Sequence, residues 1–281
     1  MSKPGLKSLD GKVVAITGAG SGIGRALALD AAGRGALLAV SDWNADGLAE
    51  TVDLLKAAGV AELRSDVVDV SDRAAMADWA AAVAGQFGRV NAVVNNAGVT
   101  VTGDFEEMSY ADFDWIVGVN FLGVVHGTKE FLPHLIASGD GHVVNISSLF
   151  GLVSMPGQSA YNATKYAVRG FTEALREEML VSRHPVGVTC VHPGGIRTGI
   201  SRNGRKTESQ DAEAIDRLFE DKLAKMPPEK AAAIVLDGML KGKARVLVGL
   251  DAHVIHHFAK LTGSRYQDIV ARLSPKVVHR T

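Results

Sequence analysis

The chain of 281 residues is 47% hydrophobic and 22% charged, a balance that fits one globular domain with a generous core and excludes a disordered or fibrous protein. Its formal net charge of −1 offers no footprint for nucleic acid and little attraction to anionic lipid. Cys190 is the only cysteine, which excludes an intrachain disulfide framework and a thiolate-rich metal site and suits the reducing cytoplasm expected for this chain.

The opening MSKPGLKSLDGK lacks the apolar core of a signal peptide. The longest stretch free of Asp, Glu, Lys and Arg, residues 141–164, carries His142, Asn145, Pro156 and Gln158, unlike a membrane span. Short β-branched runs then alternate with longer Ala- and Leu-rich segments. The predicted strands are KVVAIT, ALLAVS, AELRSDVV, VNAVVN, HVVNIS, GVTCV and ARVLVG, several apolar on consecutive residues as strands covered on both faces should be. Helical stretches are expected from about Gly22, Ala45, Asp72, Tyr110, Ser159 and Pro228, with Ser109 and Asp112 as a capping box for the fourth. This alternation predicts an α/β fold with a parallel sheet of about seven strands and helices on both faces. One domain over 1–281 is expected, without a dividing linker. Residues 198–226 are charged and glycine-punctuated, with no clear period until AIDRLFEDKLAKM suggests a short amphipathic helix, and are expected to form a lid over a site. The tail from about Asp251 is expected to be an extension that covers the pocket or contacts another subunit.

The first strand runs into TGAGSGIG, with Gly18, Gly22 and Gly24 at the turn. Glycines there let a pyrophosphate approach the backbone, while the N-terminus of the following helix supplies unpaired N–H donors. Asp42 follows the second strand, where a dinucleotide fold places the carboxylate that accepts from the adenosine ribose. A carboxylate repels a 2′-phosphate, and none of Ala19, Gly20, Ser21 and Trp43 supplies a cation to welcome one. NAD is therefore the expected cofactor, in preference to NADP. Tyr161 and Lys165 stand four residues apart in SAYNATKYAV, on one face of a predicted helix.

Taken in order, TGAGSGIG, Asp69-Val70, NNAG at 95–98, Asn120, Ser147-Ser148, YNATK at 161–165 and PGGIRT at 193–198 resemble the short-chain dehydrogenase/reductase family, from Gly11 to about Gly249. The resemblance implies a Rossmann-like, doubly wound fold and a catalytic set of Asn120, Ser148, Tyr161 and Lys165. Ser148 rather than Ser147 holds the family's spacing of 13 positions before the tyrosine. The cofactor contacts it implies are Gly18, Ser21, Gly22, Ile23, Gly24, Asp42, Asp69, Val70, Asn96, Ala97, Gly98, Tyr161, Lys165, Pro193, Gly194, Ile196 and Thr198. Asp66-Val67 is a decoy by family spacing, and Gly195 is a variation with no obvious cost. The resemblance also implies a homo-oligomer, a tetramer or a dimer, built on the helices that hold Asn120 and Tyr161.

Oxidation of an alcohol needs a base for its hydroxyl proton, and reduction of a ketone needs the same group as acid. A free phenol titrates near 10, too high for a good base at neutral pH, so Lys165 and a cationic nicotinamide are expected to favour the phenolate. Lys165 also has donors for the nicotinamide ribose. Ser148 is expected to donate to the substrate oxygen, and the family resemblance implies that the backbone carbonyl of Asn120 carries a water that relays protons to Lys165. The expected reaction interconverts a secondary alcohol and a ketone. Val99, Leu149, Phe150, Val153, Met155, Ile200, Leu218, Phe219 and Met226 are the expected apolar pocket walls, which points to a hydrophobic small-molecule substrate. The alternatives are a 3-oxoacyl-type reductase, whose relatives usually bring cations for NADPH, and a non-catalytic cofactor-binding regulator. An epimerase is disfavoured, since no sizeable C-terminal substrate domain is present. His253, His256 and His257 with Asp251 invite a metal reading that no step of this chemistry needs, so no metal site is expected.

Overall fold

The computed structural model describes residues 4–60 and 62–273. The first half alternates β1 (Val13–Thr17), α1 (Gly22–Gly33), β2 (Leu37–Asp42), α2 (Ala45–Ala57), β3 (Leu63–Val67), α3 (Arg73–Phe87) and β4 (Ala92–Asn95). A short β5 (Val101–Thr102) precedes α4 (Tyr110–Val117), α5 (Gly123–Ala137), β6 (His142–Ile146), α6 (Ser159–Val181) and β7 (Gly187–Pro193). The chain continues through β8 (Arg205–Lys206), α7 (Ala212–Leu218), α8 (Pro228–Leu240), β9 (Arg245–Val248), α9 (Leu250–Thr262) and α10 (Tyr266–Leu273). The basic end SPKVVHRT of the predicted extension lies outside the described residues, as does Ala61 of the third predicted strand.

Seven strands form one sheet in the order β3-β2-β1-β4-β6-β7-β9, and every neighbouring pair is parallel. The chain builds outward from β1 to β3, then returns to place β4 on the other side of β1. That reversal opens a crevice at the carboxyl ends of β1 and β4, where open α/β sheets bind ligands. Side-chain alternation assigns the two cores. Val14 and Ile16 of β1 face α1, α2 and α8 with Leu27, Leu55, Val235 and Met239, whereas Val13 and Ala15 face α3, α5 and α6 with Met76, Phe131 and Leu175. Trp79 meets Phe131 edge-on, with ring centroids 5.1 Å apart. Cys190 lies buried in β7, where burial pushes its thiol up to about 12.

Two expectations change here. The helical stretch from Tyr110 breaks into α4 and α5 around a wider π turn at Gly118–Leu122, and Asn120 sits within that turn. Within residues 198–226 the expected short helix is present as α7, but an unexpected strand, β8, precedes it. β8 pairs with β5 in a second, two-stranded parallel sheet, and α7 is capped by Asp211, whose side chain accepts from Ala214 N. The period of two in so short a strand is too brief to read from sequence. Arg205 stacks 3.9 Å over Trp115 and pairs with Asp112, while Ser201 and Lys206 both bond Asp216.

Candidate active site

The glycine turn is shaped by close approach. A Cβ on Gly18 would fall 2.7 Å from the Ala97 backbone, and one on Gly24 would fall 1.9 Å from the Gly18 carbonyl oxygen. Gly18 and Gly22 also hold φ of 66° and 52°, left-handed values that favour glycine. Thr17 Oγ1 accepts from the N–H groups of Asn96 and Ala97, and Asn96 Nδ2 donates to the carbonyls of Thr17 and Gly18. The NNAG segment thereby buttresses the turn from β4.

Helix α2 is capped by Asn44 and α3 by Asp72, but the Ser21 side chain makes no cap on α1, and no acidic residue lies in its first turn. Its N–H groups face the cleft between the glycine turn and Thr198, whose methyl would stand 3.0 Å from a Cβ on Gly22. This narrow cradle, which any larger residue at 22 would fill, fits the pyrophosphate of a dinucleotide. Asp42 stands at the carboxyl end of β2, only 8% exposed. Its Oδ2 accepts from Gly20 N at 2.8 Å and its Oδ1 from Asn44 N at 2.9 Å, which aims the carboxylate across the turn. Each oxygen keeps a further lone pair, enough for ribose hydroxyls. Arg25 is the cation nearest this end, and it is engaged by Gly20 O, Gly47 O, Thr51 Oγ1 and Glu50. Trp43 is 74% exposed.

Asp69 binds the N–H and hydroxyl of Ser71, and Val70 is buried with its carbonyl facing His126 Nδ1 at 3.0 Å. Asp66 belongs to β3 and pairs with Arg64.

Four residues from three elements converge above β4 and β6. Helix α6 carries Tyr161 and Lys165, the turn after β6 carries Ser148, and the π turn carries Asn120. Lys165, 3% exposed, sends Nζ to the Ile146 carbonyl at 3.1 Å and holds it 5.6 Å from the centre of the Tyr161 ring. Burial pushes this ammonium down to about 8. Tyr161 hydrogen-bonds Ser148, and its ring meets Phe150 edge-on at 6.1 Å. Burial raises the phenol above its ordinary value, against the lowering effect of Ser148, so the lysine does not bring it down unaided.

Asn120 is fully buried and its amide is spent on structure. Oδ1 accepts from Val99 N at 2.8 Å, and Nδ2 donates to Val99 O at 2.9 Å and Thr164 Oγ1 at 3.2 Å. The π turn explains why an otherwise poor helix former is stable there. Ser148 also accepts from Phe150 N at 3.1 Å, so it starts a short 3-10 turn as well as facing Tyr161. His192 Nδ1 lies 2.8 Å from the Ser148 carbonyl oxygen, and burial pushes this imidazole down to about 4. It is packed beneath the site.

Pro193 ends β7, and Gly194 N donates to Val248 O at 2.9 Å. Gly195 is not a cost-free variation. A Cβ there would fall 1.8 Å from the Leu223 carbonyl oxygen, while Asp251 Oδ2 accepts Gly195 N at 2.7 Å. Ile196 is buried and bridges to Met226.

Of the expected walls, Val99 and Phe150 pack beside Tyr161. Leu149 and Val153 instead turn away, into a cluster with Ala252 of α9 and Tyr266 of α10, and Met226 packs on the main core. The tail thus lies over the 149–153 loop. His256 is buried whereas His253 and His257 are exposed, and among the described residues no group of three or more His, Cys, Asp or Glu is arranged to hold a metal ion.

Three structural residues escaped the sequence reading. Asn162 donates to Phe150 O at 2.8 Å and Val153 O at 3.0 Å and accepts from Met155 N at 3.1 Å, pinning the loop after Ser148 to α6. Its place inside YNATK is the one signal that marked it. Thr17, the first letter of TGAGSGIG, is marked in the same way. Asp251 carries no local signal, because its partner lies 56 residues away.

Residues 12–209 match the family described as short chain dehydrogenase. A Mycobacterium tuberculosis protein named SadH, an oxidoreductase by name, is 54% identical over 266 residues, 95% of this chain and 96% of that one. Estradiol 17-beta-dehydrogenase 11 of Macaca fascicularis is 34% identical over 243 residues, 83% of this chain and 81% of its own. A Burkholderia phymatum short chain dehydrogenase/reductase, crystallised in complex with NAD, superposes with a TM-score of 0.84 at 33% identity, covering 96% of this chain and 98% of that one. No helix among the described residues is long and apolar enough to cross a membrane. The glycine turn, the four converging side chains and these relationships together show that the chain belongs to the short-chain dehydrogenase/reductase family of oxidoreductases.

Proposed function

We propose that the protein interconverts a hydrophobic secondary alcohol and its ketone with NAD, using Tyr161 as acid and base. The observation that carries this reading is the meeting of Tyr161, Ser148 and Lys165 at the mouth of the crevice beside β4 and β6. When bound, the nicotinamide accepts hydride from the alcohol carbon or returns it to the ketone. Tyr161 takes the hydroxyl proton in oxidation and restores it in reduction. Ser148 donates to the substrate oxygen, where charge changes as the carbon–oxygen bond order changes. Lys165, fixed by the Ile146 carbonyl, keeps two further donors for ribose hydroxyls and holds positive charge beside the phenol. With its amide engaged by Val99 and Thr164, Asn120 contributes to proton relay through its backbone.

Gly18, Ser21, Gly22, Ile23, Gly24, Thr198, Pro193, Gly194 and Ile196 would hold the phosphates and the nicotinamide end, and Asp69, Val70, Asn96, Ala97 and Gly98 the rest of the dinucleotide. Asp42 favours NAD, because a 2′-phosphate would meet a carboxylate already fixed at short range. Residues 198–226 serve as the lid. The apolar neighbours of Tyr161 and the alcohol named for the estradiol relative support a hydrophobic substrate. The test is a panel of steroid, retinoid, aromatic and aliphatic alcohols and ketones, read by the absorbance of reduced nicotinamide. Tyr161→Phe should keep NADH binding and lose about a hundredfold or more in turnover. Near-normal turnover in that variant, or no activity across the panel in folded, NADH-bound protein, would overturn the reading.

A further inference from the structure

The turn after β7 is held from an unexpected direction. Asp251 stands in the first turn of α9, immediately after β9, and its Oδ2 accepts the Gly195 N–H at 2.7 Å. The carboxylate lies directly on the neighbouring glycines. A Cβ on Gly194 would come 2.2 Å from Oδ2, and a Cβ on Gly249, whose φ is 106°, would come 2.3 Å from Oδ1. The far side of the same residue is gripped too, since the N–H groups of Lys225 and Met226 donate to the Gly195 carbonyl at 3.1 and 3.2 Å. Gly195 therefore has its donor fixed by the C-terminal extension and its acceptor fixed by the backbone of Lys225 and Met226. Asp251 thus holds the Gly194–Gly195 peptide and Lys225 and Met226 hold the Gly195–Ile196 peptide, so the two successive peptide planes that lead into the Ile196 backbone are both fixed.

The location within α9 suits a negative charge, because the helix N-terminus carries partial positive charge. A charged acceptor also makes a stronger bond to a backbone N–H than a neutral one does. The second arm of the extension reaches the loop after Ser148, where Tyr266 OH accepts Ser154 N at 3.0 Å. The extension thus touches the turn after β7 through Asp251 and the loop after β6 through Tyr266.

We infer that Asp251 is a positioning residue for the cofactor: through Gly195 it orients the Ile196 backbone that receives the nicotinamide end of the dinucleotide. This rests on the NAD reading above. The experiment is titration of NADH into wild type, Asp251→Ala, Asp251→Asn and Tyr266→Phe, followed by fluorescence, with melting temperatures measured with and without NADH. Wild type must bind NADH, and failure there rejects the NAD reading rather than this inference. Asp251→Ala should weaken NADH about tenfold, the effect of losing one charge-assisted hydrogen bond, and should shrink the melting shift that NADH produces. Asp251→Asn, whose amide oxygen can accept the same N–H, should remain within about threefold of wild type. Tyr266→Phe should leave NADH affinity unchanged. Should Asp251→Ala not fold, Asp251→Ser takes its place, since its hydroxyl is too short to reach Gly195. Wild-type NADH affinity in the folded Ala or Ser variant would overturn the inference, as would equal weakening in Tyr266→Phe.

Discussion

Asn162→Ala isolates the loop that carries Phe150 from the chemistry of its neighbour Tyr161. The amide makes three hydrogen bonds with the loop, at 2.8, 3.0 and 3.1 Å, and Asn162 is 6% exposed. Each such bond contributes roughly 1 kcal/mol net, and a stranded buried partner costs about as much again or more. Water entering the space left by the amide offsets part of this, so a loss of about 3 kcal/mol is expected. With an unfolding entropy of roughly 2.1 cal/mol/K per residue over 281 residues, that loss lowers the melting temperature by about 5 °C. Calorimetry on cofactor-free protein reads this directly. Kinetics read the second consequence: the KM for the alcohol should rise several-fold because Phe150 and Ser148 lose their support, while NADH affinity stays near wild type. A melting temperature within 1 °C of wild type together with an unchanged KM would refute the reasoning, because three bonds at a buried site cannot vanish silently.

Asp42→Asn keeps an acceptor for the turn but removes the charge, and a unit charge near a 2′-phosphate is worth a few kcal/mol at an effective dielectric near 20. The ratio of kcat/KM for NAD over NADP should therefore fall on the order of ten- to hundredfold; an unchanged ratio would reject the ribose contact. Lys165 predicts a pH dependence. Its ordinary value of 10.5 falls to about 8 in the folded chain, so between pH 8 and 10 the unfolded chain binds more protons and wild-type stability gains as pH rises. The stability of Lys165→Met relative to wild type, measured by denaturant titration without cofactor, should accordingly drop by about 2–3 kcal/mol from pH 7 to 10. A constant gap would show that the lysine is not desolvated as described.

Most of the fold could be read from the chain because its determinants are local. Uninterrupted apolar runs such as VVAIT and AVVN mark strands buried on both faces, and the glycines of TGAGSGIG announce a turn that only residues without a side chain can make. The meeting of Tyr161 and Lys165 was equally legible, since the two share one helix face. What stayed hidden depends on distance along the chain. Pairing of Val101 with Arg205 spans a hundred residues and joins strands of two residues each, too short for any periodicity. The clash that requires glycine at 195 comes from the Leu223 carbonyl, and the turning of Leu149 and Val153 away from the pocket comes from Ala252 and Tyr266. The burial of the Tyr161 phenol stayed hidden for a related reason. Charge partners can be listed from a sequence, but the degree of water exclusion around a phenol cannot.

Cys190, sealed between β6 and β9 with its thiol pushed up to about 12, turns the molecule into its own reporter. A thiol so placed reacts with alkylating reagents only when the sheet parts beside its edge strand β9 or at β6, so the labelling rate in a timed pulse measures how often β7 is laid open. With no second sulfhydryl in the chain, each modified molecule records one opening at one known strand, and a bound dinucleotide that clamps the strand ends would slow the mark in proportion to its grip.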